Sequence, residues 1–129
     1  MQDLDPKRDG QFDYIDCCGV LHHLDSPEAG LESLVACLTP EGGIGLMLYG
    51  ELGRTGVYDA QRIIRLLVNI DTVNSAEIKK ARNILQNLPR RNRLKINPQF
   101  TQSDEFSDGE IADVFLHPMD RAYRIPDVR

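Results

Sequence analysis

Two adjacent histidines, His22 and His23, follow the run Asp16-Cys17-Cys18-Gly19-Val20-Leu21. A neutral imidazole titrates close to neutrality and takes a proton from a hydroxyl or an amine, so each is a candidate catalytic base. The ordinary alternative is that one histidine caps a turn while the other packs. Cys17, Cys18, His22 and His23 are all zinc-binding types, but neighbouring cysteines on a strand point to opposite faces. Their spacing matches neither C-x2-C nor H-x3-H, so no metal site is expected. Asp16 lies in an otherwise apolar run and must reach solvent or find a partner. Tyr49, Arg54, Tyr58 and Arg62 have the chemistry to hold a carboxylate or phosphate, or else to form a solvated helix face. Arg90, Arg91, Arg93 and Lys95 form a basic cluster with no interleaved aromatics. An exposed linker is the simpler reading, and nucleic acid is not an expected partner.

The elements that would position these residues are legible from pattern. Phe12 to Cys18 is a β-prone run entered from Arg8-Asp9-Gly10. Ser26-Pro27-Glu28 supplies an N-cap hydroxyl, a first-turn proline and a first-turn acid, so a helix begins there. Leu31, Leu34, Val35 and Leu38 give it one apolar stripe, with Gly30 costing about 1 kcal/mol against Ala. Thr39-Pro40-Glu41-Gly42 has type I turn chemistry and leads into a second, nearly all-apolar strand, 44–49, of the kind covered on both faces in parallel sheets. Strand, helix and strand make a βαβ unit.

Past Gly50 the pattern becomes helical. Residues from Thr55 to about Asn69 carry the apolar Ile63, Ile64, Leu66, Leu67 and Val68, with Tyr58, Arg62, Arg65 and Asn69 along a polar stripe. Asn74 and Glu77 resemble a capping box before Ile78, Ala81, Leu85 and Leu88. Arg90 to Gln102 has no periodicity and reads as a loop. Ser107-Asp108-Gly109-Glu110 is a second capping box before Ile111, Val114 and Phe115, ended by Pro118. The residues from Arg121 on stay polar, with Tyr123-Arg124-Ile125-Pro126 an edge strand or unstructured.

The chain has 129 residues, a net charge of −5 and three cysteines. That length suits one modest domain, since domains usually run to about 100–200 residues. The charge balance argues against a broad nucleic-acid coat. With an odd cysteine count, no signal-like start and no apolar run approaching the roughly 18 residues of a membrane span, a reduced cytoplasmic location is expected, with no membrane partner.

Phe12-Asp13-Tyr14-Ile15-Asp16-Cys17-Cys18-Gly19-Val20-Leu21-His22-His23-Leu24, followed by Leu38-Thr39-Pro40-Glu41-Gly42-Gly43, resembles the middle of a class I S-adenosylmethionine-dependent methyltransferase. That family has FDxIxxxGVLHHL, a helix, an LxPGG turn and a further apolar strand; here Glu41 stands between the Pro and the Gly pair. The resemblance covers roughly 12–49, and Phe115-Leu116-His117-Pro118 with Arg121-Ala122-Tyr123 adds a weaker match. It implies an α/β fold: a partial Rossmann-like sheet in residues 1–50, then a mostly helical C-terminal region, 51–129, acting as a cap or substrate-region extension. It also implies S-adenosylmethionine as cofactor, contacted at Cys18, Gly19, Val20 and Leu21, with His22 and His23 catalytic and Tyr49, Arg54 and Tyr58 toward the substrate.

The family's Gly-rich loop and the acidic residue ending its next strand precede this stretch, yet only eleven residues precede Phe12. Asp3-Leu4-Asp5 reads either as a remnant of that segment or as an ordinary acidic start. The expectation is therefore a fragmentary methyltransferase chain that binds the cofactor weakly alone and transfers methyl to an unidentified small or macromolecular acceptor. A homodimer joining two half-sheets, or a missing N-terminal half, would complete the site. The rival is a non-catalytic helical interaction module, or inactive remnant, docking through residues 63–70.

Overall fold

Asp5 accepts a hydrogen bond from the Lys7 N–H and so caps a short helix α1, Pro6–Asp9. The computed structural model describes residues 4–100 and 105–128. Asp3, and Thr101 and Gln102 of the expected loop, lie outside the described residues. Strand β1, Phe12–Cys18, follows, then a single 3₁₀ turn, Leu21–His23, helix α2, Pro27–Ala36, and strand β2, Leu38–Met47. The two strands pair in parallel, with Ile15 opposite Ile44 and Cys17 opposite Leu46.

Helix α2 begins where its signals place it: Ser26 accepts from the Ala29 N–H, and Pro27 is the first helical residue. It ends at Ala36, so Leu38 starts β2 instead of extending the apolar stripe. Leu34 is buried and Val35 is exposed. Gly30 has a packing reason that offsets its helix cost. A Cβ there would lie 2.5 Å from Leu24 Cδ1 and 3.1 Å from Leu21 Cδ2, so the glycine leaves room for those two side chains to lie against α2.

The Thr39-Pro40-Glu41-Gly42 segment is absorbed into β2 rather than preceding it. Phe12 pairs with Leu38 and Tyr14 with Gly43, so three extra residues of β2 are accommodated between those pairs as a bulge. The side chain of Thr39 bridges back to Asp13 across it, at 3.0 Å. The expected burial of the second strand on both faces is not found: no residue of β2 is fully buried, and Leu46 and Met47 are about two-fifths exposed at 41% and 42%. Among the described residues α2 packs against β2, and a two-stranded sheet offers little more cover.

Contacts divide the chain into two units. The first comprises residues up to Gly50 with those from Met119 on; the second is Glu51–Pro118. The first unit has a small core, with Cys17, Leu21 and Leu34 buried and Ile15, Leu31 and Ile44 packed around them. Its returning tail forms a parallel bridge between Gly50 and Tyr123 and a 3₁₀ turn, Ile125–Val128, so this stretch is ordered.

The second unit is helical: α3, Glu51–Arg65, α4, Ser75–Asn87, α5, Arg93–Ile96, and α6, Asp108–Phe115. Its core joins Val57, Ile64, Leu85, Leu94, Ile111 and Phe115, all fully buried. Helix α3 starts and stops four residues earlier than the periodicity suggests, so Ile64 and Val68 are buried while Leu66 and Leu67 are exposed. Within the stretch that reads as a loop, Asn92 accepts from the Leu94 N–H and caps α5, which buries Leu94.

The two capping motifs differ. Ser107 and Glu110 make both reciprocal bonds of a capping box on α6. At α4, Asn74 accepts from Ala76 and Glu77, but the Glu77 carboxylate accepts from the Asn69 N–H and Lys80 instead of returning to Asn74. The Lys80 ammonium first, then the Asn69 N–H, holds Glu77 below the ordinary glutamate range, and the Ser107 hydroxyl and N–H do the same for Glu110. Because both folded-state values lie below the unfolded ones, their contribution to stability is complete above the ordinary range and is lost as pH falls through the folded values. Urea midpoints of the chain are expected to stay level from about pH 7 to about pH 5.5 and to fall toward pH 3. A midpoint that rises on acidification would contradict this.

Candidate functional site

The chain leaves β1 through Gly19, whose φ of +74° is a left-handed conformation that costs an L residue about 1–2 kcal/mol. The Gly19 N–H still donates to Met47 O, at 3.1 Å, so the turn starts at the carboxyl end of both strands. The 3₁₀ turn comes next, fixed by Leu21 plugging the core and by the His23 N–H and Leu24 N–H donating to Val20 O and Leu21 O.

This anchoring brings three aromatic side chains together. The His22 ring is fully buried, with its centroid 3.8 Å from that of Tyr49 and 4.3 Å from that of His23, edge-on to the latter. The His23 ring meets Tyr49 edge-on at 5.8 Å. Tyr49 comes from the other strand, two residues beyond β2. The cluster therefore stands at the carboxyl ends of two adjacent parallel strands, the end of an open α/β sheet at which ligands bind.

Main-chain bonds from the tail complete it. His23 Nδ1 donates to Met119 O at 2.6 Å, Arg121 N–H donates to His22 O at 3.2 Å, and Tyr123 N–H donates to Tyr49 O at 2.8 Å. The sequence pattern of this tail suggests an edge strand or no structure. Its only signal was the Arg121-Ala122-Tyr123 resemblance, since backbone donors and acceptors leave no mark on residue identity.

The four residues expected to contact a cofactor have different surroundings. Cys18 is exposed, Gly19 and Val20 are half-buried, and the Leu21 side chain is enclosed with Cys17 and Leu34, leaving its backbone as the part able to face a ligand. Asp16 is exposed and accepts from Cys18 Sγ at 2.9 Å, so it both reaches solvent and has a partner. That bond, above all, raises the Cys18 thiol above its ordinary range, while burial dominates the rise at Cys17.

All three cysteines are free, with Cys17 and Cys37 buried. A thiol-reactive disulfide reagent is expected to label one cysteine in the native chain, Cys18, and three in denaturant. Asp16→Asn should speed the native reaction several-fold, because it replaces a charged carboxylate acceptor, which favours the thiol over the thiolate, with a neutral amide. Equal rates for the two forms would refute the Asp16 role.

Arg54 and Tyr58 belong to the helical unit. Arg54 is buried rather than on a solvated face, and its guanidinium carbon lies 5.8 Å from the Tyr58 ring centroid. Arg62 is exposed and faces Asp59 at 3.7 Å. The basic cluster is partly consumed: Arg93 stands 3.9 Å from Asp59, and Lys95 donates to Gln86 O at 3.1 Å. No helix among the described residues is long and apolar enough to cross a membrane, and no three His, Cys, Asp or Glu side chains among them gather closely enough to hold a metal. A cavity of about 260 Å³ in the first unit is lined mainly by apolar groups, among them Leu31, Leu46, Leu48 and Val128, apart from the His22, His23 and Tyr49 rings.

The methyltransferase domain family matches residues 1–46. An uncharacterized protein of Synechococcus sp. is 34% identical over 122 residues, which are 93% of this chain and 29% of that protein. The structure of PKMT2 from Rickettsia typhi aligns with 93% of this chain and 24% of its own, at a TM-score of 0.67 and 21% identity. The chain thus spans less than a third of the length of either. Over the segment it spans, the chain has the fold of a class I S-adenosylmethionine-dependent methyltransferase, with a methyltransferase domain matched in residues 1–46.

Proposed function

We propose that this chain takes part in methyl transfer from S-adenosylmethionine, with the reaction at the carboxyl ends of β1 and β2. The observation that carries this reading is the gathering of His22, His23 and Tyr49 at that edge, beside a left-handed glycine. The residues present fit one end of the cofactor. A backbone turned by Gly19 and flanked by Val20 permits close approach of the methionine portion.

When bound, S-adenosylmethionine supplies an electrophilic methyl group on a sulfonium. The protein's task is chiefly to align donor and acceptor, since positioning supplies much of the acceleration of such a displacement. The backbone at Gly19 and the Val20 side chain would hold the methionine portion so that an acceptor's lone pair could take the methyl group in line, the electron pair leaving with sulfur. A proton on the acceptor passes to an imidazole, for which His22 and His23 are the candidates. The Tyr49 ring packs against His22, with centroids 3.8 Å apart.

Affinity of the chain alone for S-adenosylmethionine is expected to be weaker than micromolar. Titration of labelled chain to millimolar cofactor, followed by amide resonances, should move residues 18–23 first. The absence of any shift at those residues would overturn the reading, and micromolar affinity by calorimetry would overturn the weak-binding part of it. The exposed Leu66 and Leu67 favour a second role for the helical unit as a docking element, with a partner whose capture does not depend on cofactor.

A further inference from the structure

The geometry points to residues 119–123 as a strap that fixes the tautomer of His23, with the Met119 main-chain carbonyl as the positioning group. A carbonyl oxygen accepts hydrogen bonds and cannot donate them, and it lies 2.6 Å from His23 Nδ1. The hydrogen of the neutral ring therefore resides on Nδ1, and its basic lone pair on Nε2. Histidine in water favours the opposite tautomer, with hydrogen on Nε2, so the strap reverses the intrinsic preference.

The strap is held at two further points, neither of which involves a side chain of its own. Arg121 N–H donates to the carbonyl of His22, and Tyr123 N–H donates to the carbonyl of Tyr49. Both acceptor residues belong to the aromatic cluster, and the His22 ring at 4.3 Å limits rotation of His23 about its side-chain bonds. The three bonds join the tail to both strand ends at once, so ring orientation and tautomer are set together. A main-chain or carboxylate acceptor that fixes one imidazole nitrogen and leaves the other basic is the arrangement that prepares a histidine for proton transfer. The assignment of Nε2 as the proton-accepting atom rests on the methyl-transfer reading; the tautomer does not, so the two fail separately.

Long-range nitrogen–proton correlation spectra of the nitrogen-labelled full chain, recorded at about pH 8 where ordinary imidazoles are neutral, test this directly. His23 is expected to show a protonated, pyrrole-type Nδ1 and an unprotonated, pyridine-type Nε2. Arg121→Pro removes the N–H that ties the strap to His22 and should shift His23 to a mixture dominated by hydrogen on Nε2. A wild-type His23 with hydrogen on Nε2, or on both nitrogens, overturns the proposal, and an unchanged tautomer in folded Arg121→Pro overturns the strap. Should that variant lose its folded spectrum, the wild-type pattern alone decides. Loss of cofactor-induced shifts with the tautomer intact would sink the methyl-transfer reading and spare this one.

Discussion

Leu21→Ala is expected to destabilise the first unit by about 3 kcal/mol and to dissolve the His22, His23 and Tyr49 arrangement. Leu21 is 2% exposed and is one of three fully buried residues in that unit's core. Truncation removes three carbon atoms and leaves a void that Leu34 and Cys17 fill only in part. A folded unit of this size has roughly 3–9 kcal/mol of stability, so the loss consumes a third or more of it. Leu21 is the aliphatic side chain by which the 3₁₀ turn enters the core, and that turn carries both histidines.

Urea unfolding followed by far-ultraviolet circular dichroism, which suits a chain without Trp, gives the stability. The ring-current shifts between His22 and Tyr49 give the local consequence. Val35→Ala, on the exposed side of α2, should change stability by less than about 0.5 kcal/mol. Equal effects at the two positions would refute the role given to Leu21. The result also separates packing from ligand contact, because the sequence nominates Leu21 for a cofactor ledge while its side chain is spent on the core.

Two glycines on α3 are expected to respond with opposite sign. Gly56→Ala should cost about 3 kcal/mol, and Gly53→Ala should gain about 1 kcal/mol. At Gly56 a Cβ would come within 2.5 Å of Leu94 N and 2.7 Å of Arg93 C. These are backbone atoms of α5 and cannot swing aside, so either α5 moves off or α3 bends, and the fully buried Leu94 leaves its place in the core. At Gly53 nothing stands within 4 Å, the residue is exposed, and Ala recovers the helix propensity that glycine forfeits. Hydrogen exchange of α3 and α5 amides, together with the urea midpoint, distinguishes the cases. A stabilised Gly56→Ala would show that α5 does not seat against α3.

Legibility from sequence followed the range of each interaction. The N-cap of α2 at Ser26 and the capping box of α6 at Ser107 and Glu110 were readable because each is satisfied within three residues. The α4 motif looked the same, but Glu77 found a better donor at Asn69, outside the pattern's reach. Helix α5 was missed because its one buried residue, Leu94, has no periodic companions, and its place depends on a glycine 38 positions earlier in the chain. The second strand read as covered on both faces from its composition, yet coverage depends on what packs there, and Leu46 and Met47 stay partly exposed.

The sequence by itself determined the order strand, helix, strand, helices, the resemblance to a methyltransferase middle, and the candidates His22, His23 and Tyr49. Those follow from local propensity and from motifs whose members are close along the chain. Only the tertiary structure decided that Tyr49 stacks on His22, that Arg54 is buried, and that the tail returns to bond Met119 O to His23. Those depend on bringing distant segments together, and in the case of the tail on backbone groups common to every residue, which no residue type can announce.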